Sequence, residues 1–221
     1  MIPRTFQDSY FPVGILLSSN RALVDARRGY EKLKAQHEDG GILFSDWRVQ
    51  WIGVCALLRA SVHLFQSDAK ACLNKRITDE LSNEWKSIKE NDADHEIYWK
   101  FINKERNAVL KEYHWTAYEA YFDELGEDIP ASKIGIFSMV DPTISKKLHI
   151  NSGNYKGQDA FQVLELAIAW LEERISSALA RAGFHLDDKA HFKSWQKMQE
   201  RTSLIGSDDL LTIVEKAELE G

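Results

Sequence analysis

Trp47-Arg-Val-Gln-Trp-Ile-Gly-Val-Cys-Ala-Leu-Leu-Arg-Ala-Ser-Val-His-Leu-Phe65 is the stretch that decides the fold. Within it Trp47, Trp51, Val54, Leu58, Val62 and Phe65 recur every three or four residues. That spacing predicts an amphipathic helix with one stripe facing a core. Arg48, Arg59 and His63 are its chemically interesting side chains, Arg59 and His63 lying one turn apart and Arg48 on a similar face three turns earlier.

Before this helix, the pattern predicts another from Ser19 to His37, with Ser18, Ser19 or Asn20 as its cap, Leu23, Tyr30 and Leu33 among its apolar positions, and Gly40-Gly41 as its end. After it, a third helix is expected from Asp79 to Lys89. The polar Glu90-Asn91-Asp92-Ala93-Asp94 run then leads into a fourth and longest one, from His95 to about Leu125. Residues 126–157 change character, with β-branched or alternating pieces at Lys133–Val140 and Lys146–Ile150, and read as a short hairpin or irregular insertion. Phe161, Leu164, Ala167, Ile168, Leu171, Ile175 and Leu179 predict a last bundle helix from Gln158 to Ala182, with Gly183 at its C-cap. Two charged helices, His191–Arg201 and Asp208–Leu219, complete the reading. The expected architecture is all-α: a four- to five-helix bundle over residues 1–182, with an insertion at about 126–157, and a C-terminal helical arm over 183–221.

Composition bounds the function. The chain of 221 residues is 44% hydrophobic and 28% charged, ordinary for one globular domain. Its net charge of −6 argues against a general nucleic-acid coat protein, which needs a basic surface to displace counterions, but leaves room for a local basic site. Cys55 and Cys72 lack zinc-type spacing and read as reduced core thiols; no cofactor or metal is expected. No apolar run is long enough for a membrane span and the start resembles no secretory signal, so the expected compartment is the cytoplasm, without membrane contact.

Chemistry concentrates in Glu105-Arg106-Asn107-Ala108-Val109-Leu110-Lys111-Glu112-Tyr113-His114. On a continuous helix Arg106, Leu110 and Tyr113 share one face, and His114 falls about 80° around from Arg106. The segment resembles the signature of the HEPN superfamily: an arginine followed by a polar residue, then four to six residues, a histidine, and often a tyrosine two further on. Arg106, Asn107 and Tyr113 match in type and place. The histidine position of the shortest form holds Lys111, and the nearest histidine is His114.

The resemblance implies a helical, RNA-directed protein: a weak metal-independent endoribonuclease, or a catalytically degenerate relative that still holds RNA or nucleotide, of the kind found in toxin–antitoxin or phage-defence systems. Arg106 is then the phosphate binder, Asn107 its helper and Tyr113 an orienting hydroxyl or a modification site for a partner nucleotidyltransferase. Lys111 and His114 compete for proton transfer. Lysine is poorly suited to that role, since its ordinary pKa of ~10.4 leaves little free amine at neutral pH. The resemblance further implies a homodimer with paired motif helices near a two-fold axis, the aromatics from Trp115 to Phe122 contributing to the interface, and an antitoxin or other protein partner.

The competing reading has Arg106 in a buried ion pair with a bundle carboxylate and makes the chain a non-catalytic helical interaction module. Two weaker signals are the loop Asn151–Gly157, whose glycines lack the Lys-Ser/Thr of a P-loop, and the His185, Asp187, Asp188, His191 group as metal ligands.

Overall fold

The computed structural model describes residues 10–38, 47–72, 74–135, 141 and 143–195. Among these the chain is mostly helical, with two small two-stranded sheets. Short β1 (Tyr10–Pro12) and α1 (Val13–Leu16) lead into α2 (Ser18–Glu38), followed by α3 (Trp47–Ala71). The two long helices are antiparallel: the Ser61 hydroxyl donates to the Ser19 carbonyl at 2.7 Å near one end, and Gln50 donates to Gln36 at 2.6 Å near the other. Gly29 permits their close approach, since a Cβ there would stand 2.9 Å from Val54 Cγ2. The predicted stripe of α3 is buried from Trp47 to Phe65.

The cap of α2 comes from outside its own sequence. Asp68 on α3 accepts from Ser18 N at 3.1 Å, Ser19 N at 2.8 Å and Ser19 Oγ at 2.6 Å. A buried tertiary carboxylate thus meets the orphan amides that a local Ser18, Ser19 or Asn20 cap was expected to satisfy.

Helix α4 (Lys75–Glu90) begins four residues before the expected Asp79, because Asn74 caps it through Arg76 N. Its buried Glu84 meets Arg174 at 3.1 Å and Arg181 at 2.5 Å on α6 (Ala160–Arg181). Asp159 caps α6, accepting from Phe161 N and Gln162 N, and Gly183 with φ 82° follows its end.

The fourth helix departs most from expectation. A π-helical turn, Tyr98–Ile102, brings Tyr98, Phe101 and Ile102 all into the core, and α5 (Asn103–Glu112) then stops at Tyr113, whose φ of 48° is left-handed. The aromatics beyond it are not helical. Ala117–Phe122 is strand β2, paired antiparallel with β3 (Ser145–Ile150), with Ala117 opposite Ile150 and Phe122 opposite Ser145. The insertion therefore contributes one strand to a sheet whose other strand was expected to be helix; residues 136–140 lie outside the described residues.

Residues 184–195 pack on the bundle. β4 (Lys189–His191) pairs with β1, Val13 N donates to Asp188 O at 2.7 Å, and Trp195 in the short α7 (Phe192–Trp195) is buried. The rest of the expected helices at 191–201 and 208–219 lies outside the described residues. Among the described residues no three potential metal ligands cluster, the His185–His191 group included, and no helix is long and apolar enough to cross a membrane. Cys55 and Cys72 are free and buried.

Burial raises the Asp68 carboxyl above its ordinary 3.8, outweighing the bonds from Ser19 and Ser18. A folded-state value above the unfolded one means that native protein holds the proton more tightly, so this group's contribution is present below 3.8 and is lost as pH rises through the raised value. Thermal unfolding of the protein and an Asp68→Asn variant should therefore show the native carboxyl's relative advantage growing as pH falls from neutral into the carboxylate range.

Candidate functional site

Helices α3 and α5 run antiparallel and are joined by one buried acid. Glu105, 1% exposed, accepts from Trp51 Nε1 at 2.6 Å, Thr116 N at 3.0 Å and Thr116 Oγ1 at 2.7 Å. Three donors from two other segments converge on this carboxylate, which makes no ion pair among the described residues. Burial, and then the Glu105 charge, push the Cys55 thiol well above its ordinary range, so Cys55 is a protonated core residue.

Beside this junction lies a seam of arginines. Arg59 Nε on α3 donates to Asn103 Oδ1 on α5 at 3.2 Å, with its guanidinium 5.8 Å from the Tyr98 ring centre. One turn along α5, Arg106 Nη1 donates to Asn107 Oδ1 at 2.9 Å. Asn103, Arg106 and Asn107 share a helix face by spacing, so both guanidinium groups border the same seam. Arg48 lies eleven residues before Arg59 on the same flank of α3, about 16 Å away along the axis. Its guanidinium sits 5.7 Å from the Trp47 ring and 5.5 Å from Trp115.

None of these three arginines pairs with a carboxylate among the described residues, whereas Arg27, Arg174 and Arg181 do. The expected ion pair between Arg106 and a bundle carboxylate is thus replaced by a bond to a neutral amide. Each amide uses one of five guanidinium donors and leaves the positive charge uncancelled. Planar forks of this kind suit phosphate or carboxylate oxygens.

The other candidates are dispersed. Lys111 is exposed in the last turn of α5, and Tyr113 is 78% exposed beyond its end. His114 is also exposed and lines a cavity of about 150 Å³ with Lys100, Lys104, Ala108, Ser152 and Asn154. Residues 104 and 108 line this cavity, and on a helical wheel Arg106 points about 160° away from each of them. The expected approach of His114 to Arg106 fails because it presumed a helix continuing through residue 114, whereas α5 ends at Glu112 and leaves Tyr113 at its terminus. The loop Asn151–Gly157 closes the cavity, with Gly153 and Gly157 at φ 80°. His63 is exposed on α3.

Sequence reasoning passed over Asn103 and the anchoring role of Glu105, and assigned Trp115 to an interface between copies, where the structure sets it against Arg48. The spacing of Asn103 and Arg106 was visible; the alignment of α5 against Arg59 was not. Removing the anchor in Glu105→Ala strands three donors, the buried Trp51 Nε1 and the half-buried Thr116 N and Oγ1, and should cost about 3 kcal/mol in chemical denaturation. Glu105→Gln, which keeps an acceptor, should cost less than half as much.

Comparison with protein-family models, with curated proteins and with solved structures finds no match.

Proposed function

We propose that this chain is a HEPN-like, RNA-directed protein that binds phosphates along the α3–α5 seam without cleaving the strand. The observation that carries this reading is the set of three guanidinium groups, Arg48, Arg59 and Arg106, held by amides and rings and left uncompensated in a chain of net charge −6. The helical bundle and the Arg106-Asn107 pair support the family likeness. Binding is favoured over cleavage because general acid–base transfer requires hydrogen-bond reach, directly or through one water. His114 lines the cavity on the side of α5 away from Arg106, and Lys111 is exposed in the last turn of α5.

The alternative is a non-catalytic helical interaction module. One feature favours it: a groove of about 410 Å³ floored by Ile97, Tyr155, Leu166 and Trp170 and rimmed by Asp94, Glu96 and Glu173, suited to an apolar, basic segment of another protein.

Salt-titrated binding of a labelled RNA separates the two. Arg59→Ala and Arg106→Ala should each weaken binding about tenfold and lower the slope of log K against log salt by about 0.7, the counterion release of one single-strand phosphate. In chelator, no cyclic-phosphate ends should accumulate. An unchanged slope in both variants rejects the seam, and cyclic-phosphate products that vanish in Arg106→Ala would establish a ribonuclease instead.

A further inference from the structure

Tyr113 occupies a backbone position suited to glycine. It closes α5 with φ 48° and ψ 41°, and its N–H and that of His114 both reach the Ala108 carbonyl, the second at 3.2 Å. Among the described residues the other positive φ values belong to Gly126, Gly153, Gly157 and Gly183. A side chain in this conformation is strained, and glycine is the usual occupant of such a helix terminus. The ring gains little burial in return, being 78% exposed. Neither the backbone nor the core accounts for a large aromatic here.

What surrounds the ring points to a ligand. Tyr113 meets Trp115 edge to face, with centres 5.7 Å apart and planes at 87°. Trp115 lies 5.5 Å from the Arg48 guanidinium, which also lies 5.7 Å from Trp47. The result is a run of packed groups, Tyr113, Trp115, Arg48 and Trp47 in that order, three rings and one guanidinium, at the end of the arginine seam. Perpendicular packing on Trp115 covers at most one face of the Tyr113 ring, which is 78% exposed. Flat aromatic and guanidinium faces are the surfaces on which unpaired bases stack, whereas duplex bases already stack on one another. From Arg106 to the end of α5 is about 9 Å along the helix axis, close enough for one short strand to touch both.

We propose that Tyr113 is a stacking platform for an unpaired base of a single-stranded RNA whose phosphates lie along Arg59 and Arg106. The proposal rests on the RNA reading above and adds the class of RNA and the group that selects it. The phenol oxygen has no part in the stack, so the aromatic face alone is required.

The test measures binding of a short unstructured RNA carrying 2-aminopurine, of its duplex, and of inorganic polyphosphate. The proteins are the full chain and its Tyr113→Gly, Tyr113→Phe and Arg106→Ala variants. Tyr113→Gly should unfold at the same or a higher temperature, which excludes misfolding as the cause of lost binding. It should bind the single strand about tenfold more weakly and polyphosphate unchanged, with loss of the 2-aminopurine quench. Tyr113→Phe should retain both affinity and quench, and Arg106→Ala should weaken the strand and polyphosphate together. Unchanged single-strand affinity in Tyr113→Gly, with loss in Arg106→Ala, overturns the platform and leaves the phosphate seam standing. Failure of the unmodified chain to bind either polyanion overturns both readings. A homodimer that dissociates in Tyr113→Gly, seen by light scattering, assigns the ring to a contact between copies and likewise overturns the platform.

Discussion

The buried carboxylate of Glu105 is the constraint on which the packing of α5 and β2 against α3 depends. It is withdrawn from water and makes no ion pair among the described residues, so its charge must be met by hydrogen bonds. Trp51 supplies one from the middle of the core-facing stripe of α3; Thr116 supplies two from just before β2. The Thr116 bonds require the chain to turn back soon after α5 ends, and the left-handed Tyr113 makes that turn. The end of α5, the start of β2 and the line along which α5 lies against α3 are thus consequences of one acid finding its donors. Arg59 and Arg106 share a seam because of that alignment.

The arginines divide by the company they keep. Arg27, Arg174 and Arg181 are tied to carboxylates, linking α6 to α2 and to α4. Such pairs cancel charge locally, and their exposed members contribute little to stability. Arg48, Arg59 and Arg106, and Arg21 at the start of α2, are held by neutral groups, which position a guanidinium without cancelling it. Positioning a cation while leaving it uncompensated contributes little to a fold and much to anion recognition, because the ordering entropy is met before a ligand arrives.

Much of this was legible in the sequence, for identifiable reasons. Long apolar periodicity located both ends of α2 and α6 to within two residues and traced α3 from Trp47 to Phe65, six residues short of its end at Ala71, because each buries one continuous stripe. The spacing of Arg48 and Arg59 disclosed a shared flank. Residues 113–122 misled because Trp115, Tyr118, Tyr121 and Phe122 fall at helical spacings, although they are also strand formers. What decided between the two was the distant β3 and the Thr116 bonds to Glu105, neither of which is local. The α2 cap failed likewise: Asp68 lies forty-nine residues from Ser19 and reaches it only because α2 and α3 are antiparallel. His114 was misplaced for the same reason as the strand, since its predicted direction extended a helix that tertiary bonding had already ended.

An acidic chain with a short basic seam constrains how a polyanion can bind it. Beyond the screening length of about 8 Å at physiological salt, a strand meets only a weakened field from a molecule of net charge −6, which offers no long-range attraction to phosphate. Attraction begins only where the guanidinium groups are nearer than the carboxylates. Few phosphates fit along a seam of this length, so counterion release is modest and electrostatics alone gives weak, salt-sensitive binding. Further affinity must come from a contact that does not depend on ionic strength, and base stacking on an exposed ring is of that kind. On the proposed reading the strained, solvent-facing Tyr113 and the uncompensated arginines are two parts of one device: the cations would admit a phosphate chain to a surface that otherwise repels it, and the ring would separate unpaired strands from duplexes and other polyanions.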